Sequence, residues 1–202
     1  MAVRRSLTQP SNSMGPLMTS QLRRIAAGGV LALLGAAVLA SPAGATSATA
    51  TISAGSLGFV SAPPSATFTG TLNGLDQTLT DAEAIDVGDA TGSGSGWNLT
   101  ATSTTFTTGS HTLSTSATTV TATPTDACDV SATCATATNS VTYPYALPAA
   151  GTAPTATKLF NATANTGMGN QTVTPTWKLA LLANSYAGTY TSTWTLSLVS
   201  GP

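Results

Sequence analysis

Catalysis needs particular side chains at particular spacings, and few of them are present in this chain. A nucleophile needs a base that is itself held in orientation. The sole histidine, His111, lies in a Gly-Ser-His-Thr context with no motif around it. Serines and threonines abound, but abundance is not a triad, and a hydrolase is not expected. Four acids, Asp81, Glu83, Asp86 and Asp89, lie close together. Paired carboxylates can do acid–base work or hold Ca²⁺ through oxygen ligands. Their spacing matches no calcium loop, so a solvated turn region is expected, with neither metal nor cofactor. Asp89, beside a glycine-rich turn, is placed to accept backbone N–H bonds. Cys128 and Cys134 enclose a short loop. Two thiols and a distant histidine make a poor metal site, and in an exported chain the pair is expected to form a disulfide.

The large aromatics offer a different chemistry. Trp and Tyr stack on the apolar faces of sugars while Thr and Asn supply hydrogen bonds. Trp97, Trp177, Trp194 and Tyr190 are the candidates for such a glycan platform. The competing reading of each Trp is a core residue.

These residues must be positioned by strands. Asp86 to Thr100 reads Asp-Val-Gly-Asp-Ala-Thr-Gly-Ser-Gly-Ser-Gly-Trp-Asn-Leu-Thr. A short apolar strand around Ile85 and Val87 gives way to a glycine-rich turn, and a new strand starts at Trp97. Alternation at period two puts Trp97 and Leu99 on one sheet face. The last strand runs Tyr190-Thr-Ser-Thr-Trp194-Thr-Leu196-Ser-Leu198. Its even-numbered residues share one side, and four of them are large and apolar or aromatic. They must be buried against something, and the Trp97 strand is the expected neighbour.

A Trp-x-Leu after a glycine-rich loop, followed by a Gly-Thr-Tyr-led terminal strand, resembles the WxL domain of secreted surface proteins of Gram-positive and actinobacterial cells. The resemblance spans most of the exported chain, and its specific parts are Asp89 to Leu99 and Ala187 to Pro202. One departure is visible: the slot where that family places its terminal Trp holds Leu196, and Trp194 sits one strand-step earlier. A third Trp-x-Leu is Trp177-Lys-Leu179. The resemblance implies a non-catalytic protein attached non-covalently to a cell-wall polymer, peptidoglycan or another wall glycan, with Trp97, Leu99, Tyr190, Trp194 and Leu196 as the binding residues. Other surface proteins are further expected partners. The alternative is a structural or adhesive subunit that self-associates through exposed β edges.

Composition agrees with an exported all-β protein. Arg23-Arg24, the apolar run Ile25 to Ala40 and the small residues to Ala45 have the three regions of a signal peptide, with cleavage expected after Ala45. Residues 1–45 are thus read as the signal and 46–202 as one domain. No membrane span is expected after cleavage. The exported part keeps only Lys158 and Lys178 against seven acids, which argues against nucleic acid and anionic lipid as partners. Threonine-rich alternation favours strands. Expected strands are Leu57 to Val60, Ala66 to Leu72 before the Asn73-Gly74 turn, Gln77 to Leu79, Ala84 to Val87, Trp97 to Ser103, Val120 to Ala122, Val141 to Tyr145, Thr176 to Leu181 and Thr189 to Val199. Pro148 to Pro154 and Thr163 to Gln171 read as loops. The fold expected is a single antiparallel β-sandwich, immunoglobulin-like in outline, at the surface of the cell.

Overall fold

A computed structural model describes residues 47–201. The signal segment expected at 1–45 lies outside the described residues. Among the described residues fourteen strands follow one another: β1 (Leu57–Phe59), β2 (Gln77–Ala82), β3 (Ile85–Asp89), β4 (Trp97–Thr104), β5 (Thr107–Thr108), β6 (His111–Thr112), β7 (Thr118–Val120), β8 (Thr125–Cys128), β9 (Tyr145–Ala146), β10 (Ala149–Ala150), β11 (Thr157–Ala162), β12 (Gly169–Thr174), β13 (Thr176–Leu181) and β14 (Trp194–Ser200). There is no helix among the described residues, hence none long and apolar enough to cross a membrane.

The strands form an all-β, sandwich-like fold of several sheets packed together. One sheet has the order β1-β3-β12-β8 and a second β2-β13-β7-β9. The third is built on β4, with β14 along one edge and β11 and then β10 along the other. Every pairing is antiparallel except the short β4–β10 contact. The β5–β6 hairpin is tied by a bridge from Thr107 to Thr191. The central position of β4 explains its burial: both faces are covered along most of its length. The core gathers Ile85, Val87 and Val173 from the first sheet, Val120 and Trp177 from the second, and Trp97, Leu99, Leu159 and Phe160 from the third. Burying one such side chain stabilises the fold by about 1.5–3 kcal/mol.

Several expected elements differ in the structure. Ala66 to Leu72 alternates like a strand but joins no ladder. Side chains of β2 hold it instead: Asp81 Oδ2 accepts the Thr67 N–H at 2.6 Å, and Gln77 Nε2 donates to the Thr71 carbonyl at 3.0 Å. Of Val141 to Tyr145, only Tyr145 pairs. Two carboxamides replace the ladder here: Asn139 Oδ1 accepts from the N–H of Val141 and of Asn161, and Asn161 Oδ1 accepts from Ser140. The loops expected at 148–154 and 163–171 each contribute to a strand, β10 and β12. The whole of β11 carries no alternation because Leu159 to Ala162 is buried on both faces.

Candidate functional site

The strands bearing Trp97 and Trp194 are direct neighbours, as their sequences require. Their register, however, separates the two rings. Trp97 lies opposite Ser200, and Trp194 lies opposite Ser103. Both side chains point to the same side, but their positions on β4 are six residue steps apart (97 to 103), roughly 20 Å at the rise of an antiparallel strand. The expected meeting of the two rings at one place is therefore corrected. They occupy opposite ends of one strand pair.

At the first end the indole is enclosed. Trp97 and Leu99 are both 0% exposed. Trp97 Nε1 donates to the Gly167 carbonyl at 2.8 Å, and the ring packs against Phe160 at a centroid distance of 6.0 Å. Gly96 and Gly167 both have positive φ, 73° and 75°. A Cβ on Gly96 would lie 2.3 Å from the Ala162 carbonyl oxygen, and one on Gly167 2.5 Å from the indole nitrogen. Only glycine fits either place. Behind Gly167 the wall continues outward: its N–H donates to the Ala135 carbonyl at 2.7 Å, and Ala135 donates to Met168 at 2.9 Å. Next to Ala135, Cys134 is bonded to Cys128, so the expected disulfide is present. Trp97 and Leu99 thus have no surface to offer a ligand in this fold, and their expected binding role is replaced by a packing one.

The second end is an aromatic cluster that opens. Trp177, 1% exposed, meets Trp194 edge to face at 4.8 Å. Phe68 and Phe106 pack on Trp194 at 6.4 and 6.3 Å, and Tyr145 completes the cluster behind Trp177. Trp177 is the inner layer and so belongs to the core. Trp194, half-buried, lines a cleft of about 600 Å³ together with Tyr190, Leu196, Phe59, Phe106 and the Pro63-Pro64 turn. Ser65, Thr191, Ser192 and Thr195 add hydroxyls to the lining, which includes no charged side chain. Tyr190, Trp194 and Leu196 are the three sequence candidates that the fold brings together. Phe59 and Phe106 were not among them, because a lone aromatic beside a turn carries no pattern of its own.

Carboxyls sit elsewhere. Asp89 accepts the Thr91 N–H at 3.0 Å and its hydroxyl at 2.6 Å, capping the glycine turn as expected. The acids before it are less solvated than a turn region would be. Burial, then the hydrogen bond and charge of Asp81, raise the Glu83 carboxyl to about 7. Burial and the neighbouring Asp129 raise Asp86, and burial raises Asp126. Asp86 and Asp126 lie on β3 and β8, and Glu83 in the turn between β2 and β3. No cluster of three or more His, Cys, Asp or Glu that could hold a metal occurs among the described residues. His111 stacks on Tyr186, centroids 3.6 Å apart and planes 10° from parallel.

No family model matches the chain, and comparison with curated proteins and with solved structures likewise returned no match.

Proposed function

We propose that this is a secreted, non-catalytic cell-surface protein held non-covalently to the cell wall, with the Tyr190–Trp194–Leu196 cleft as the place where wall glycan binds. The observation that carries the reading is the composition of that cleft: aromatic rings and prolines beside hydroxyls, with no charge. Such a lining suits a neutral ring molecule with apolar faces and many hydroxyls, which describes a sugar. It offers no carboxylate, imidazole or thiol to move a proton or attack a bond. The WxL-like motifs point the same way, and the Cys128–Cys134 bond is of the kind that persists in oxidising surroundings outside the cell. The test is sedimentation of the purified protein with purified cell wall. Retention of monomeric protein, lost in a folded Trp194→Ala variant, is the expected result. Equal retention of that variant would sink the cleft as the site.

A second reading, a self-associating structural or adhesive subunit, is favoured by one feature. The edge of β14 away from β4 has no ladder partner among the described residues. Residues 47–54 lie exposed outside any ladder, with Ile52 94% exposed. Open edges of this kind are templates for another strand. Concentration-dependent oligomers without wall retention would favour this reading over the first.

A further inference from the structure

A second concavity, of about 550 Å³, is also lined by Tyr190. Tyr190 is a lining residue of both clefts, so they adjoin at this residue. We infer that the two form one continuous groove, in which His111 and Tyr186 make a second sugar subsite, so that the protein takes a glycan strand several sugars long. This deepens the wall-glycan reading and rests on it.

Three observations support the second subsite. Tyr186 is 62% exposed, an unusual amount for an aromatic that is held in place. It is held twice: the His111 ring stacks on it, and its carbonyl accepts the Tyr190 hydroxyl at 3.0 Å. The stack also has a firm base. His111 lies on the β5–β6 hairpin, and Thr107 of that hairpin exchanges backbone hydrogen bonds with Thr191, next to Tyr190. An exposed but oriented ring is what stacking on a sugar face requires, since little order is lost on binding. Finally, the lining repeats the chemistry of the first cleft. Ser110, Ser116 and Asn184 supply hydroxyl and carboxamide groups, and no carboxylate or ammonium side chain takes part. Each cleft is within the size range of small-ligand sites. Two such subsites sharing one wall suit a polymer, because once one sugar is seated the next is presented at high effective concentration.

The experiment uses the full exported chain and soluble glycan strands released from purified wall, separated into the single disaccharide and strands of several disaccharides. Titration calorimetry should find the longer strands bound at least about ten-fold more tightly than the disaccharide, a modest share of what linkage can supply. Tyr186→Ala, which keeps the backbone carbonyl that Tyr190 uses, should erase that length gain while leaving disaccharide affinity within about two-fold, as expected for a site that contributes only to the second cleft. His111→Ala should do the same. Equal affinity for short and long strands, or a loss on Tyr186→Ala that is the same for both, would overturn the continuous groove and leave the first cleft standing. Retention on wall with no binding of either glycan probe would overturn it too, and would move wall attachment to a polymer other than glycan. Failure to bind wall at all would instead remove the reading on which the groove depends.

Discussion

The two ends of the β4–β14 pair are made from similar materials and do opposite things. Each has a Trp, a neighbouring Phe and a segment of irregular chain packed over the ring. At the Trp97 end that segment carries Gly167, which brings backbone onto the indole edge and satisfies its N–H. The segment is then fastened through Ala135 to the Cys128–Cys134 bond. At the Trp194 end the covering segment is Pro63 to Phe68, fastened by one carboxylate contact from Asp81 to Thr67. Proline has no N–H to give and a ring that resists close approach, so the cover stands off and a cleft remains. Whether an aromatic side chain on a sheet becomes core or surface is decided here by what the overlying loop is made of.

Breaking the closed end should cost most. Trp97→Ala should lower stability by about 3–5 kcal/mol, read by denaturant unfolding, with wall retention lost only where the protein has unfolded. A loss under about 1 kcal/mol would mean that the indole is not the keystone of that end.

The next effect bears on the open end, where Glu83 bonds to the Asp81 that fastens its cover. The folded Glu83 carboxyl titrates near 7, above its ordinary value of 4.5. The folded state therefore holds a proton that the unfolded chain has already released, so stability falls as pH rises through that window. Raised Asp86 and Asp126 carboxyls act in the same direction. Melting temperature should be higher at the acidic edge of the window than at neutral pH. Glu83→Gln should remove most of that slope; an unchanged slope would place its origin elsewhere.

Replacing both cysteines by serine should cost roughly 2 kcal/mol, the amount a short closed loop contributes. The loosening should be greatest around Gly167, measurable as faster hydrogen exchange at its amide than at the amides of β14. Uniform loosening would separate the disulfide from the Trp97 end.

The smallest stability change belongs to Trp194→Ala, about 1–2 kcal/mol for a half-buried ring, with a cooperative melt retained. If that variant instead unfolds like Trp97→Ala, the two ends are alike and the contrast between them fails.

Much of this was legible in the sequence. Trp97 to Ser103 and Thr176 to Leu181 alternate because one face is plainly apolar, and they are strands. The pairing of the Trp97 strand with the terminal strand followed from four large side chains that had to be buried. What could not be read was register. Period-two alternation says which face a residue takes, not how far along its partner it sits, so Trp97 and Trp194 looked like one site. Strand β11 was missed because Leu159 to Ala162 lies in the interior and loses the polar half of the pattern; β12 was missed because one of its inward positions is Gln171, wholly buried, which reads as a loop residue in sequence. Among the cleft residues, Tyr190, Trp194 and Leu196 were visible as a motif, while Phe106 and Tyr186 are brought in by turns that no periodicity marks.

The central position of β4 has a consequence for the order of folding. Its partner β14 lies far along the chain, Thr100 pairing with Ser197. Until that segment arrives, β4 presents one bare row of amides and carbonyls beside an apolar face that holds Trp97, Leu99 and Ala101. Loop closure over so many residues is slow compared with local pairing, which makes the whole domain a late-committing one. A copy cut short before Trp194 would carry that open strand as a permanent template for its neighbours. The seven-residue strand β14 therefore acts as a latch whose arrival covers that bare edge of β4.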